Sequence, residues 1–544
     1  MKNQWLSLLL LVGGTLTCVF SSLSIRGVFI SPQARLGLAS YLPFWFWFGF
    51  ISLFIGAFLV SRTQNRAYHL LALFLITFVI YLTPIFVEIL PRRADVYASW
   101  NFVSWISENG HLNFVDPELY YHQFPGVFLF ADIYTKMTVL DTISFLQFFS
   151  FLVSGLWVLS FYAFADVLLN SHKLSYFATI LSIAVNVFMF QNHFSPSALG
   201  AVFFPLLMFL VMMIMKTQNN HHWGILYGIV FAFFVFLHPI FPLLFISVIA
   251  ILFLYKKIIK EKNVIGPYLL FSIVLVFVYD ILIGTIAVQG LINLFAGFLS
   301  SSSALTNLLN TYGGAFEYVP FEVTIIRRTI FILLVLFGTY FVVRNFLVNR
   351  FKEMDMAILG FSFITFLGVV VGLTPLGYEL SVRVLFLVIP FAGLVVLRKG
   401  LNKPILVILI ISMLVFAPLN FAIYYYDESE HVMYPSKYDG LTFLEKSVES
   451  DDFVWMDAGG VVNFFVEDQK NLTFATHFYT LYKDDAIWNS DVICYHVSSY
   501  ARYFFLEGEE NNSFNASLGL AERNPLFNKI YDTWAVKIFK SSSD

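Results

Sequence analysis

The sequence contains little charge for its length. Only 12% of its 544 residues are Asp, Glu, Lys or Arg, whereas a soluble domain has about 25%. In contrast, 59% of the residues are hydrophobic and 19% are aromatic. A water-soluble fold could not bury so much apolar surface, so the composition excludes a soluble globular protein and favours one surrounded by lipid. No nucleic-acid partner is expected at a net charge of −3.

Cysteine is almost absent. The chain has two, Cys18 in the first apolar run and Cys494 near the other end. We predict that they lie in compartments that cannot pair. This excludes a disulfide framework and a cysteine metal site.

The charges that are present are unevenly distributed. Residues 427–544 hold 20 of the 35 acidic and 9 of the 32 basic residues, which makes this tail net −11 and the rest of the chain net +8. The change near Tyr426 predicts a transmembrane domain over residues 1–426 and a small soluble domain over residues 427–544.

Long apolar runs fill the first part of the chain. A helix needs about 20 mostly apolar residues to cross the hydrocarbon layer. The windows that meet this requirement are 5–24, 36–60, 69–90, 143–169, 176–190, 197–215, 224–237, 240–255, 266–287, 328–343, 356–373, 384–397 and 404–425. They predict an all-α, multi-pass membrane protein with about 13 transmembrane helices. The first window is interpreted as a retained span because no small-residue cleavage site follows it.

Lys and Arg in the short loops predict the orientation. With a cytoplasmic N-terminus, the inner loops contain Arg62, Arg66, Lys173, Lys216, Lys256, Lys257, Lys260, Lys262, Arg344, Arg350, Lys352, Arg398, Lys399 and Lys403. The other side has fewer basic residues. An odd number of spans then makes the acidic tail extracytoplasmic. Three Asn-x-Ser/Thr sequons, at Asn471, Asn511 and Asn515, lie in this tail and give weak support.

Most acidic residues before the tail fall on the predicted outer side. The first large outer loop, residues 91–142, contains Asp95 and five further acids, and the outer loop at 288–327 contains two. Acidic residues contribute little to orientation, so their position requires another explanation. A polar cavity at the outer membrane face would provide one, although acids also gather wherever loops are wet.

Aromatic and aliphatic residues recur at helical spacing inside the first outer loop. Trp100, Phe102, Val103, Trp105 and Ile106 predict a helix along the membrane surface with its aromatic residues toward lipid. It should begin just after Asp95 and end near Asn109-Gly110. Its N-terminus would stabilise a carboxylate, although Asp95 could equally serve only as the helix N-cap.

Three stretches of this loop resemble the GT-C superfamily of membrane glycosyltransferases, which use polyprenyl-phosphate-linked sugars. They are Arg93-Ala94-Asp95-Val96-Tyr97, Trp105-Ile106-Ser107-Glu108-Asn109-Gly110-His111 and Tyr120-Tyr121-His122-Gln123-Phe124-Pro125-Gly126. Phe194-Ser195-Pro196 and His238-Pro239 are similar to later landmarks of archaeal members. The end of the chain, Asn528–Asp532 and Val536–Phe539, is similar to their closing hairpin.

The resemblance extends distantly to the catalytic subunit of oligosaccharyltransferase, which has thirteen spans and an outer C-terminal domain. Trp455-Met456-Asp457-Ala458-Gly459 partly matches its sequon-binding motif, but Met456 replaces a tryptophan. The turn at 191–196 also lacks the paired acids that hold the metal in that enzyme. We interpret Trp455–Gly459 as a strand and turn of a small α/β domain.

The resemblance implies transfer of a sugar from a polyprenyl-phosphate-linked donor to a glycan, protein or lipid acceptor at the extracytoplasmic face. Asp95 is the expected catalytic base. Arg383, at the entry to a span, is the expected phosphate ligand, with Arg327 as an alternative clamp. An interfacial Arg of this kind can also simply reach toward water. The other candidate substrate-binding residues are His111, His122, His193, His238 and Glu379.

Cofactors and rival functions stay open at this point. No certain cofactor is indicated apart from the lipid-linked sugar donor, and no His-x-x-x-His or similar spacing points to a metal, although a divalent ion is compatible with the sequence. A transporter is the main alternative, with Asp280 inside a span as its best candidate residue. A polysaccharide polymerase or ligase is another.

Overall fold

A computed structural model describes most of the apolar part of the chain. The described residues are 2–28, 36–63, 65–91, 94–112, 120–138, 141–185, 193–218, 221–285, 288–289, scattered positions from 325 to 347, 356–372, 377–398, 400–427, 454–456, 503–507, 527–532 and 536–541. The chain divides into two compact units, residues 1–88 with 111–430 and residues 89–110 with 431–544.

All regular secondary structure described in the first unit is helical. Its helices are α1 (Lys2–Leu23), α2 (Phe44–Val60), α3 (Arg66–Val87), α5 (Tyr120–Gln123), α6 (Gly126–Met137), α7 (Thr142–Leu169), α8 (His172–Val185), α9 (Pro196–Lys216), α10 (His221–Leu237), α11 (Ile240–Ile258), α12 (Gly266–Leu282), α13 (Met356–Gly372), α14 (Gly377–Leu397), α15 (Lys403–Ile411) and α16 (Ala417–Asp427). A 3₁₀ turn at Gly37–Ser40 precedes α2, and a π-helical turn at Ser412–Phe416 joins α15 to α16.

The apolar character of these helices makes this an integral membrane protein. Five of the described helices, and the continuous segment Ile405–Ala422 that runs through α15, the π-helical turn and α16, are long and apolar enough to cross a bilayer, and five shorter helices are also apolar. Their outward faces carry large apolar side chains; Leu9 and Phe277, for example, are 69% and 65% exposed. Such faces are suited to lipid and unsuited to water.

Glycines allow α1 and α2 to pack closely. A Cβ atom added to Gly49 would lie 2.8 Å from the carbonyl oxygen of Gly14, and one added to Gly56 would lie 2.8 Å from the backbone nitrogen of Leu11. Small residues let helix backbones approach in membranes, where dispersion contacts take the place of the hydrophobic effect. The sequence of α1 and α2 therefore specifies their pairing.

Several helix boundaries follow local rules. Asp141 caps α7, because its Oδ1 accepts a hydrogen bond from the Ser144 backbone nitrogen at 3.0 Å. Asn402 caps α15 in the same way at 3.0 Å. Asn170 ends α7 in the left-handed conformation, with φ 50°, which asparagine tolerates better than most residues.

The two spans predicted on either side of His238-Pro239 are observed as two helices, which fold back on each other, since Phe245 of α11 lies 5.8 Å from Phe231 of α10. Two other predicted spans differ in detail from the observed helices. The prediction that the span at 384–397 follows a turn was wrong, because α14 already begins at Gly377. For the predicted span at 328–343, only scattered helical positions are described.

The second unit contains α4 (Ala94–Asn109) and a four-stranded sheet. The strands are β1 (Val454–Met456), β2 (Tyr503–Glu507), β3 (Phe527–Asp532) and β4 (Val536–Ser541), in the order β1-β2-β4-β3. β1 and β2 are parallel, and β4 is antiparallel to both β2 and β3. A parallel pair requires a crossover connection, commonly a helix. The residues of that connection, with the predicted strand at Val492–His496, lie outside the described part of the chain.

Candidate functional site

The ends of several helices in the first unit meet on the side predicted to be extracytoplasmic. A Cβ atom added to Gly126, at the start of α6, would lie 2.9 Å from Leu237 at the end of α10. At the start of α9, a Cβ added to Gly200 would lie 2.9 Å from Phe241 and 3.5 Å from the Cβ of His238. The turn between α5 and α6 therefore packs against the turn between α10 and α11, beside the first turn of α9.

An aromatic layer supports this end of the bundle. The ring of Phe194, just before α9, lies 5.0 Å from Phe149 and 5.7 Å from Phe145, both on α7. It also lies 6.0 Å from Phe128 of α6. Edge-on packing of this kind fixes rings firmly. The layer holds the starts of three helices in register beneath the polar groups.

Hydrogen bonds join the α5–α6 turn to the end of α12. The Gln123 amide Nε2 donates to the Thr285 hydroxyl at 3.1 Å, and the Tyr279 hydroxyl donates to the backbone carbonyl of Gln123. The Tyr279 ring lies 5.9 Å from Phe124 and 4.9 Å from Phe236. Residues more than 150 positions apart in sequence are thus held in one polar cluster.

Asp280 lies in the last turn of α12, beside this cluster. Its side chain is buried, with 7% of the residue exposed. A Cβ on Gly284 would lie 2.8 Å from the Asp280 Oδ1 and 3.2 Å from the Phe124 ring, so only the absence of a side chain at Gly284 makes room for both. The residue is within one turn of the helix end and not near the middle of a span.

The four candidate histidines have different surroundings. His122 and His238 are buried, at 3% and 2% exposed, whereas His193 is half-buried and His111 is exposed. The His238 Nδ1 accepts a hydrogen bond from the Ile240 backbone nitrogen at 3.1 Å. The proton of its neutral ring therefore lies on Nε2. The structure brings His122, His193 and His238 to the same end of the bundle through the contacts of their neighbours.

The predicted surface helix of the first outer loop is α4. It ends at Asn109, and Gly110 follows with φ +67°, as a left-handed glycine cap requires. The start differs by a residue or two from the prediction: α4 begins at Ala94, so Asp95 lies inside the first turn, where the helix dipole favours a carboxylate.

The prediction that the aromatic face of α4 turns toward lipid was wrong for its central residues. Phe102, Val103 and Ile106 are buried, at 6%, 2% and 6% exposed. Trp100 and Trp105 are half-buried. The helical spacing of these apolar residues reflects packing within the protein.

Glu379 and Arg383 were predicted in a turn but lie in the first two turns of α14. A separation of four residues places them on the same face of the helix. Arg327 lies outside the described residues. Whether Asp95 and Arg383 converge therefore stays a prediction.

The opposite end of the bundle has a different character. The Asp166 Oδ1 lies 2.6 Å from His172 Nδ1, and its Oδ2 lies 3.9 Å from Arg66. Lys216 donates to the Asn170 side chain at 2.7 Å, and Lys256 pairs with Glu261 at 2.8 Å. The charged groups here stabilise the helix ends of the predicted cytoplasmic side.

Sequence reasoning missed Gln123, Tyr279 and Thr285 as parts of the site. Gln123 stands inside the Tyr120–Gly126 stretch that carried the resemblance, which was the available signal. Thr285 gave none. Among the described residues, no group of three or more His, Cys, Asp or Glu is placed to hold a metal ion.

Comparisons with known proteins give similarity in structure only. No family model and no curated protein matches the sequence. The structure is similar to the apo form of the oligosaccharyltransferase from Archaeoglobus fulgidus, with a TM-score of 0.56, 11% identity and coverage of 89% of this chain and 75% of that chain. It also matches ArnT from Cupriavidus metallidurans bound to undecaprenyl phosphate, with a TM-score of 0.48, 12% identity and coverage of 87% and 97%.

The similarity to the archaeal enzyme confirms the predicted helical membrane fold in outline, whereas the number of about 13 spans and the C-terminal α/β domain stay predictions. The similarity covers most of the chain, and at 11% identity it arises from the arrangement of the helices and not from shared side chains. The chain therefore has a membrane fold similar to that of the archaeal oligosaccharyltransferase.

Proposed function

We propose that this protein is a membrane glycosyltransferase that transfers a sugar from a polyprenyl-phosphate-linked donor to an acceptor at the extracytoplasmic face. The observation that carries the proposal is the fold shared with an archaeal oligosaccharyltransferase over 89% of the chain. The surface helix α4, with Asp95 in its first turn and Gly110 closing it, supports it. Fold alone does not fix chemistry, so the residues must provide the rest.

The reaction requires few functional groups from the protein. The acceptor oxygen forms a bond to the anomeric carbon, the bond from that carbon to the phosphate oxygen breaks, and the phosphate leaves with the electron pair. Asp95 is proposed to take the acceptor proton. No strong general acid is required, because a lipid-linked phosphate is already an adequate leaving group.

The departing phosphate gains negative charge and needs a positive partner. Arg383 is proposed for this role, since a guanidinium can bind two phosphate oxygens at once. Glu379, one turn earlier on α14, is proposed as a further substrate-binding residue. Arg327 is the alternative clamp. His111, His122, His193 and His238 are proposed to bind the sugar or the phosphate.

The acceptor is a glycan, a protein or a lipid. The soluble domain proposed at 427–544, an α/β domain on the outer face, would help to select it. The proposed orientation places the N-terminus in the cytoplasm. The donor is the only small molecule that the mechanism uses, and no step of it requires a metal ion.

The proposal is tested with purified protein in lipid, supplied with radiolabelled polyprenyl-phosphate glucose, mannose or N-acetylglucosamine and with membrane extract as a source of acceptors. We expect release or transfer of the label from one of the donors. Movement of intact donor or solute into sealed vesicles, without cleavage of the glycosidic bond, would instead identify a transporter. Extension of an existing glycan chain would identify a polymerase or ligase.

The geometry of the first unit favours the transferase over the transporter. Transporters commonly place ionisable residues near the middle of the membrane, at interrupted helices. Asp280, the best candidate for that role, lies within one turn of the end of α12. Its position is suited to a site that opens at the membrane surface.

A further inference from the structure

Asp280 differs from the other well-defined acids of the first unit. Asp132 pairs with Lys136 at 2.8 Å, Asp166 with His172 at 2.6 Å and Glu261 with Lys256 at 2.8 Å. Asp141 caps α7 through Ser144. Asp280 is more deeply buried than these, yet among the described residues no side chain or backbone group donates a hydrogen bond to its carboxylate.

A buried carboxylate without a partner is unfavourable. Removing a charged or polar group from water costs several kcal/mol unless new hydrogen bonds replace those lost. The usual solutions in a folded protein are an arginine, a lysine or several amide donors. None of these is placed on Asp280 by the described part of the chain, which leaves the carboxylate able to accept hydrogen bonds from water or from a bound ligand.

The neighbours of Asp280 indicate the chemistry of such a ligand. The amide of Gln123 and the hydroxyl of Thr285 are neutral polar groups, joined at 3.1 Å. The rings of Phe124 and Tyr279 are 5.9 Å apart. A carboxylate repels phosphate, and none of the described residues named here carries a positive charge that would attract it. A carboxylate, neutral hydrogen-bonding groups and apolar ring faces together suit a neutral molecule rich in hydroxyl groups.

We propose that Asp280 accepts hydrogen bonds from hydroxyl groups of the sugar carried by the donor, so that the end of α12 and the α5–α6 turn form the sugar-binding part of the site. The inference rests on the proposed function, because it places the sugar of a polyprenyl-phosphate donor at this cluster. It separates recognition of the sugar, by Asp280, from recognition of the phosphate, by Arg383.

The separation gives a direct test with Asp280→Asn. Binding of polyprenyl phosphate, with and without an attached sugar, is measured by tryptophan fluorescence in lipid nanodiscs for glucose, mannose and N-acetylglucosamine. The wild type should bind one sugar-linked carrier more tightly than the bare carrier. Asp280→Asn should lose about 10- to 100-fold in affinity for the sugar-linked carrier, the range expected for hydrogen bonds to a charged group, and bind the bare carrier as before.

Two variants make the result interpretable. Asp132→Asn removes a carboxylate that already has a lysine partner, and it should leave both affinities unchanged. Gly284→Ala keeps the carboxylate but adds a methyl group 2.8 Å from its Oδ1. It should displace the carboxylate and weaken binding of the sugar-linked carrier selectively. Thermal unfolding of each variant checks that the fold is retained.

The outcomes distinguish this inference from the proposed function. A wild type that transfers sugar, together with an Asp280→Asn variant of unchanged affinity, overturns the role of Asp280 and leaves the transferase standing. A wild type that neither binds the sugar-linked carriers more tightly than the bare carrier nor cleaves them overturns both. If Asp280→Asn abolishes ion-driven solute flux while sugar affinity is unchanged, the carboxylate binds a cation and the inference is wrong.

Discussion

Two carboxylates carry the chemistry proposed for this protein, and their positions differ. Asp95 lies in the first turn of a helix, where the helix dipole stabilises its charged form and keeps it ready to accept a proton. Asp280 lies at the end of a helix and is buried, and it is proposed to accept hydrogen bonds from the sugar. The first position suits a base, and the second suits a binding group.

Asp95→Asn should lower the rate of sugar transfer by about 10²- to 10⁴-fold, the usual contribution of a general base, because the amide cannot take the acceptor proton. The rate is measured with saturating labelled donor in lipid. Glu108→Gln is the matched control, since Glu108 is exposed in the last turn of the same helix. Near-wild-type transfer by a well-folded Asp95→Asn protein would exclude Asp95 as the base.

Arg383→Ala should weaken binding of the bare polyprenyl phosphate by about 10- to 100-fold, because charge-assisted hydrogen bonds to the phosphate are lost. Arg383→Lys should recover part of this affinity, since an ammonium keeps the charge but not the two-point geometry. Titration of each variant with the carrier, without a sugar, provides the measurement. Equal affinity of all three proteins would mean that Arg383 only faces the lipid boundary.

Single residues were predicted unequally well from the sequence. Asp95 and Gly110 belong to one local pattern, a helix and its cap, and local patterns can be read directly. The bond between Gln123 and Thr285 joins residues separated by 162 positions, and no spacing rule reports such a contact. Asp280 was noticed only as an acid in an apolar run, because its neighbours are defined by the packing of α12 against the α5–α6 turn.

At the level of helices, hydropathy predicted which residues contact lipid better than it predicted where each helix begins and ends. The run over 384–397 was predicted as a span because it is uniformly apolar, yet α14 extends back to Gly377 and includes Glu379 and Arg383. These polar residues are compatible with a helix but not with the hydrocarbon layer. Conversely, α4 was recognised from aromatic spacing, which follows the helical period whether the covering surface is lipid or protein.

The close contact of α1 and α2 leads to a prediction about the free energy of unfolding. Gly49→Ala places a methyl group 2.8 Å from the Gly14 carbonyl oxygen and should cost about 1–3 kcal/mol in unfolding free energy through overpacking. Gly13→Ala is the control, because nothing lies within 4 Å of its added Cβ. Thermal unfolding in mild detergent compares the two; an equal melting temperature for both variants would contradict the close packing.

The cap of α7 leads to a prediction about how the stability of the protein depends on pH. Hydrogen bonds from the Ser144 backbone nitrogen and hydroxyl hold the pKa of Asp141 below its usual value of 3.8. A lowered pKa in the folded state stabilises the protein above the unfolded pKa, and the effect is lost as the pH falls through the folded pKa. Asp141→Ala should therefore lower the melting temperature at pH 7, and the difference from the wild type should shrink below about pH 4. Asp141→Ser, which keeps a capping oxygen, should lose less at neutral pH.

For the molecule as a whole, the proposed topology predicts which end of the bundle faces out. Cysteine labelling in a background without Cys18 and Cys494 tests this prediction. Met137→Cys is on an exposed position of α6, and Lys262→Cys is on an exposed position after α11. A membrane-impermeant maleimide applied to intact cells should label Met137→Cys and spare Lys262→Cys until the membrane is opened. The reverse pattern would invert the proposed topology and place the chemistry in the cytoplasm.

The π-helical turn at Ser412–Phe416 has a consequence for how the last span is placed. Such a turn accommodates one residue beyond the α-helical repeat, so everything after it is rotated relative to what precedes it. Because of this rotation, the ring of Phe421 faces α2, where its centroid lies 5.3 Å from those of Phe46 and Phe50. Deleting Val415 would restore a regular helix and swing Phe421 by about 100°, out of the protein and into the bilayer. A single extra amino acid thus decides which side of the final helix is the inside of the molecule.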